Sequence, residues 1–293
     1  MLLHKLAVLL LTLFVAANAV AEITLTAAKG TSDDRKAYTN RLLTAALNAN
    51  TAHNHFESVK QVSVSYGYDA RAYLVSKGQA DVTYFPAEKK IERHLIPIRV
   101  PLYKGLMGYR FLLIQAKDQT KFDSISNLQQ LKRLLKGTGT RWRMTQVYQY
   151  HNFAHVKADT NHSLYKMLNV GRFDYTTRGV IEASETQRII QKRFGNLAIE
   201  NNILLYTELP IYFFVGADNP ALAKRIESGL HSLIKTGKFD KIFAQFFATV
   251  PTDLALETRR VLYVENPFLS AESKHNAQTF WQQSSSPLPF TLE

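Results

Sequence analysis

The chain has 293 residues, with 36 Lys and Arg against 24 Asp and Glu, a formal charge of +12 and no cysteine. Hydrophobic residues make up 46% and charged residues 20%, the balance of a folded globular protein and not of a disordered one. The lack of cysteine excludes a disulfide scaffold, a thiolate metal site, a cysteine nucleophile and a lipid-modified cysteine anchor.

Residues Met1 to Ala21 read as an export leader. Lys5 supplies a basic start, Leu6 to Ala17 an apolar stretch, and Ala17-Asn18-Ala19 and Ala19-Val20-Ala21 two small-x-small cleavage sites. The apolar stretch falls short of the ~20 residues that a membrane anchor needs. The expectation is a cleaved, soluble chain in a bacterial periplasm. The Lys and Arg residues are scattered, with short clusters such as Lys132-Arg133 and Arg259-Arg260. Scattered charge reads as a solvated face, and export argues against a nucleic-acid partner.

In the mature chain, Ile23 to Ala27 alternates like a strand. Arg35 to Asn48 carries Tyr38, Leu42, Leu43, Ala46 and Leu47 at helical spacing. Val59 to Ser65 alternates again, Asp69 to Ser76 is a short helix closed by Gly78, and Asp81 to Phe85 is a strand stopped by Pro86. This order predicts a parallel α/β sheet. Pro97 and Pro101 then mark an edge or extended segment. Gly108 to Gln115 is a strong strand, Leu128 to Leu131 a short helix, and Arg133 to Leu135 a strand leading into the loop Lys136-Gly137-Thr138-Gly139-Thr140. Helices are predicted over Arg141–Tyr150, Leu164–Leu168 and Val180–Phe194, with a brief strand over Phe173–Thr176. Strands at Ile203–Tyr206 and Ile211–Val215 precede helices at Leu222–Thr236 and Phe239–Phe247. The remaining residues carry little periodicity and read as a wrapped or partly loose tail. The pattern gives two α/β units, the second inserted into the first.

Several stretches resemble a known family. They are Gly78-Gln79-Ala80-Asp81-Val82, the run Pro101 to Arg110, Leu168 to Tyr175, Tyr212 to Val215 with Asn219-Pro220-Ala221-Leu222, and Gly237 to Phe243. Together they resemble a type II periplasmic solute-binding protein of family 3, the class of the polar amino-acid receptors of ABC transporters. Arg259-Arg260-Val261, Asn266-Pro267 and Trp281 resemble the tail of an uncharacterised branch. The resemblance implies an α/β fold of two lobes joined by two crossing strands. Lobe one would comprise 22–110 and 211–250, lobe two 111–210, and 251–293 a C-terminal tail. It also implies hinge closure on a solute.

The candidate ligand residues follow. Backbone N–H groups of the Lys136 to Thr140 loop, with the hydroxyls of Thr138 and Thr140, suit an anion; in the resembled family this loop grips a ligand carboxylate. A tight turn with an N-cap threonine is the other reading. Arg178 stands where the resembled receptors place an acid for the ligand's ammonium, which favours an anionic group on the solute. Glu182, one turn on, could pair with Arg178 instead, and ligand contact is the favoured reading. Arg93 is the chosen equivalent of the family's lobe-one arginine, with a solvated helix face as the alternative. Arg71 and Arg110 are further basic candidates near strand ends, and Trp142 and Tyr84 could stack on a ligand.

His151 and His155 are four apart, but a helix end between them separates their faces, and His53 and His55 flank Asn54. No metal and no cofactor are expected. The leading functional expectation is a non-catalytic receptor, expected to be a monomer, that presents a small polar, anionic or amino-acid-like solute to a membrane permease or a sensor protein. The alternatives are a dehydratase-like enzyme on the same fold and a signalling module that has lost ligand binding. No G-x-S-x-G or H-E-x-x-H motif is present.

Overall fold

The structure is a computed structural model describing residues 22–50, 57–65, 67–250 and 254–281. The expected leader, His53 and His55 lie outside the described residues.

The first sheet begins with β1 (Ile23–Ala28), α1 (Asp33–Asn48), β2 (Val59–Val64), α2 (Tyr68–Ser76) and β3 (Val82–Pro86). β1 pairs in parallel with both β2 and β3. The apolar stripe of α1 turns inward, burying Tyr38, Leu42, Leu43, Ala46 and Leu47, as its spacing requires. All five residues of β3 are buried, the mark of a strand covered on both faces. A short helix α3 (Lys89–Glu92) leads to β4 (Leu95–Ile98), which contains Pro97. β4 lies at the sheet edge, where a residue without an N–H is tolerated.

The chain then builds a second sheet. Its elements are β5 (Tyr109–Gln115), α4 (Gln119–Asp123), α5 (Leu128–Lys132), β6 (Lys136–Gly139) and α6 (Arg143–Tyr150). They are followed by β7 (His155–Ala158), α7 (Asn161–Asn169), β8 (Tyr175–Gly179), α8 (Ala183–Arg193) and β9 (Leu197–Tyr206). β10 (Ile211–Gly216) returns to the first sheet between β3 and β4, antiparallel to both. The helices α9 (Pro220–Lys235) and α10 (Lys238–Phe247) then share one apolar core with α1.

Two expectations shift here. The strand expected at Arg133–Leu135 lies at Lys136–Gly139, so the glycine-threonine run is itself strand. β9 begins at Leu197 and not at Ile203. The polar Glu200-Asn201-Asn202 interrupts its alternation, because the pairing register with β5 shifts there. The Glu200 carboxylate accepts the N–H groups of Asn202 and Ile203 at 2.9 and 2.7 Å and holds the irregularity.

The two sheets are joined where Gly108 meets Thr207. The Thr207 N–H donates to the Gly108 carbonyl at 3.1 Å, and a Cβ on Gly108 would collide with the Thr207 carbonyl oxygen. Only glycine permits that approach. Beside it the rings of Tyr109 and Tyr206 stack with centroids 4.4 Å apart.

The tail is more ordered than its periodicity suggests. β11 (Arg260–Tyr263) adds to the second sheet, parallel to β9. The chain then crosses to the first lobe as α11 (Ala271–Thr279). Ser270 and Ser273 donate their hydroxyls to Glu92 at 2.7 and 2.8 Å, and Tyr212 donates to Asn276 at 2.6 Å. Trp281, buried, donates its ring N–H to the Pro101 carbonyl at 3.2 Å. The tail is therefore a third connection between the lobes.

Candidate functional site

A cleft of about 290 Å³ opens between the two sheets. One wall comes from the first lobe: the turn after β1 (Ala28 to Thr31), Arg35 in the first turn of α1, Tyr68 and Arg71 of α2, and Pro86. The facing wall comes from the second lobe: Arg110 on β5, the stretch Gly139 to Met144, Asp159 and Asn161, and Arg178 with Glu182. Met107 and Leu209 enter from the connecting segments. Much of the lining follows the carboxyl ends of parallel strands, where helix starts and connecting turns gather in open α/β sheets.

Among the described residues, seven of the lining side chains are cationic, and two, Asp159 and Glu182, are acidic. Glu182 is the electrostatic centre of the second-lobe wall. Its Oε1 accepts from Arg178 at 2.8 Å and pairs with Arg35 of the first lobe at 3.3 Å, while Oε2 accepts the Gly179 N–H at 2.9 Å. Burial alone would raise its pKa, but Arg178, Arg35 and Arg110 outweigh burial and hold the carboxyl at about 2. Arg178 also donates to Asn161 at 3.2 Å and lies over the Trp142 ring at 5.2 Å.

A second ion-pair group crosses the cleft from Arg143, the first residue of α6. It pairs with Glu88 of the first lobe at 2.6 Å and with Asp69 at 3.3 Å, and Asp69 also pairs with Lys90 at 3.4 Å.

Arg71 and Arg110 differ from these. Arg71 is 2% exposed and Arg110 5%, and neither has a carboxylate within ion-pair distance among the described residues. Arg71 donates from Nη1 to the Tyr84 carbonyl at 2.9 Å and packs against the rings of Tyr68 and Phe85. Burial lowers its pKa. Arg110 donates to the Thr177 carbonyl at 3.4 Å. The Nε groups of both are buried without a hydrogen-bond partner among the described residues. Behind Arg110 stands Lys136, fully buried, its Nζ donating to Thr177 at 3.0 Å and lying over the rings of Tyr148 and Tyr175. Burial first, then Arg110, pushes its pKa well down.

The expected site residues thus divide. Arg71, Arg110, Thr140, Trp142 and Arg178 meet in the cleft. Arg178 makes the internal ion pair with Glu182 that competes with ligand contact. Thr138, Tyr84 and Arg93 do not line the cleft. Thr138 is fully buried, its hydroxyl hydrogen-bonded to Thr145 at 2.8 Å. Tyr84 is core, its ring edge-on to Phe213. Arg93 is exposed beside α3, on a surface with Lys90 and His94, as the solvated-face alternative has it.

The anion cradle at Lys136 to Thr140 does not form. That run pairs as β6, and the Thr140 N–H is taken by the Ala158 carbonyl at 2.9 Å. Its glycines serve packing: a Cβ at Gly137 would enter the Phe173 ring, and one at Gly139 the Trp142 ring. The residues missed were Arg35 and Arg143. Both sit in the first turn of a helix that follows a strand, the position nearest a cleft in an α/β lobe. That position was the available signal. Among the described residues no group of three or more His, Asp or Glu could hold a metal ion.

No protein-family model and no curated protein matches the chain. Solved structures do. An ancestral arginine-binding protein bound to arginine is 16% identical, with a TM-score of 0.56 over 77% of this chain and 98% of its own. A histidine kinase sensor domain with similarity to periplasmic binding proteins is 15% identical, with a TM-score of 0.55 over 77% and 96%. An amino-acid ABC transporter substrate-binding protein of Streptococcus pneumoniae bound to L-arginine is 14% identical, with a TM-score of 0.55 over 78% and 95%. With two α/β sheets, a cleft between them and these neighbours, the chain has the two-lobed type II periplasmic-binding-protein fold.

Proposed function

We propose that this chain is a non-catalytic receptor that captures a small anionic solute between its lobes and presents it to a membrane permease or a sensor protein. Lobe one, built on the first sheet, closes on lobe two, built on the second sheet from β5 to β9 and so including Arg110, about the Gly108 and Thr207 connection. The observation that carries the reading is the charge of the cleft: seven cationic lining side chains against two acidic ones, with Arg71 and Arg110 buried and lacking a carboxylate partner among the described residues. Burying an uncompensated cation is unfavourable, and an anionic ligand relieves that penalty. The cleft volume, about 290 Å³, lies at the small end of ligand pockets, roughly 300–1,000 Å³. We take the chain to be exported through Met1 to Ala21 and to act as a monomer in the periplasm.

A thermal-shift screen of the mature protein against carboxylates, phosphorylated solutes and amino acids tests the reading. A ligand at a hundred times its dissociation constant stabilises the native state by about 2.7 kcal/mol. The expected result is a rise in Tm with anionic solutes; no shift with any anion overturns it. A second reading, a signalling module whose lobes are held by their own contacts, is favoured by the ion pairs Arg35–Glu182 and Arg143–Glu88 across the cleft. Small-angle scattering separates the two: a receptor compacts on adding its solute, and a self-closed module does not.

A further inference from the structure

We infer that the solute carries two separate oxyanionic groups, one held by Arg71 in the first lobe and the other by Arg110 in the second. The inference rests on the receptor reading above and narrows its ligand class.

The argument begins with what each guanidinium lacks. Arg71 and Arg110 are both more than nine-tenths buried, both line the cleft, and both keep a buried Nε without a protein acceptor. Arg178 and Arg143, in the same cleft, also have unpartnered Nε groups, but each has a carboxylate at 2.8 or 2.6 Å. Lys29 and Arg141 also lack a carboxylate but are exposed to water, so the buried positive excess among the described lining residues lies on Arg71 and Arg110. A guanidinium meets an oxyanion in a two-point fork, and a buried, pre-oriented fork loses little freedom when it does so.

The two forks are anchored separately. Arg71 is tied to the Tyr84 carbonyl of β3 and seated on Tyr68 and Phe85, and the charged neighbour acting on it is Arg143. Arg110 is tied to the Thr177 carbonyl of β8, and the groups that feel it are Lys136, Tyr148 and Glu182. These are two distinct electrostatic neighbourhoods on opposite walls. Around Arg110 the single carboxylate of Glu182 is shared among three arginines; around Arg71 the acids Glu88 and Asp69 are taken by Arg143 and Lys90. One small anion would leave one of these walls uncompensated. A zwitterion would bring its ammonium towards a wall that is already cationic. A solute with an oxyanion at each end satisfies both and draws the lobes together. Carboxylate and phosphate share this chemistry.

The test is calorimetry on the full mature chain at fixed ionic strength, with matched probes. One arm compares succinate, glutarate and adipate with their monoamides. The other compares propane-1,3-diyl bisphosphate with propyl phosphate. Glutamine serves as a zwitterion, and arginine as a zwitterion with an added cationic side chain. The expected result is that at least one probe with two oxyanionic groups binds about ten-fold or more tighter than its matched probe with one. The arm in which this happens names the group. Arg71→Gln and Arg110→Gln should each bring that probe's affinity down to that of its matched single-group probe. Equal binding of the probes with one and with two oxyanionic groups overturns the two-pole inference and leaves the anion receptor standing. Tighter binding of the zwitterions overturns the two-pole inference. No binding in either arm overturns both readings. Should a variant fail to fold, the comparison of matched probes on the unaltered protein still decides.

Discussion

Arg71 and Arg178 stand on facing walls of one cleft, both more than nine-tenths buried, yet their surroundings differ. Arg178 is held by Glu182 at 2.8 Å, by Asn161 and by the Trp142 face. Arg71 has a backbone carbonyl and aromatic rings, and no carboxylate partner among the described residues. The first is an arginine that the protein satisfies by itself. The second is an arginine for which no described carboxylate supplies a counter-charge within ion-pair distance. The comparison teaches that burial and position in a cleft do not by themselves leave a charge uncompensated; the absence of a carboxylate within reach does, and the proposed solute contact rests on that difference.

The largest expected effect comes from breaking the satisfied side. Glu182→Ala leaves Arg178 and Arg35 without their shared carboxylate and should lower stability by about 3–5 kcal/mol, read by urea unfolding. An unchanged midpoint would show that the pair is not structural.

Acid probes the same carboxylate without mutation. Its folded pKa of about 2 lies below the ordinary 4.5, so its contribution is complete above pH 4.5 and is lost as pH falls towards 2. The expected loss is roughly 3 kcal/mol. Stability measured against pH should show that fall, and Glu182→Gln should flatten it.

Arg143→Ala removes the pairs with Glu88 and Asp69 that span the cleft. It should reduce stability by about 2 kcal/mol and raise the radius of gyration in scattering as the lobes separate. The remaining connections at Gly108, Thr207 and the tail limit that opening.

Arg71→Gln sharpens the contrast from the other side. No ion pair among the described residues is lost, so unfolding free energy in the absence of solute should stay within about 1 kcal/mol of the original, in contrast to Glu182→Ala. A large loss would give Arg71 a structural role. The smallest effect belongs to Arg93→Ala, on an exposed surface outside the cleft. It should alter stability by no more than about 0.5 kcal/mol and leave solute affinity unchanged.

The first sheet was legible because its signals are local. The alternation of Ile23 to Ala27, the spacing of Tyr38 to Leu47 and the stop at Pro86 each lie within a few residues. β9 was only half legible, because Glu200 to Asn202 is polar for a reason outside its own segment, the register shift against β5. β11 is four residues long and takes its identity from β9 beside it. The glycine-threonine run read as a loop because glycine favours turns, whereas here the rings of Phe173 and Trp142 demand it in a strand.

The sequence by itself determined the alternation of elements, the two-lobed plan and the basic character of the chain, since periodicity and composition are properties of neighbours along the backbone. Only the tertiary structure decided which arginines share the cleft and which of them has a carboxylate. Arg35 finds Glu182 across 147 positions and Arg143 finds Glu88 across 55, roughly, while Arg71 finds neither. Charge compensation acts through space over a few ångströms, and no spacing along the chain encodes it.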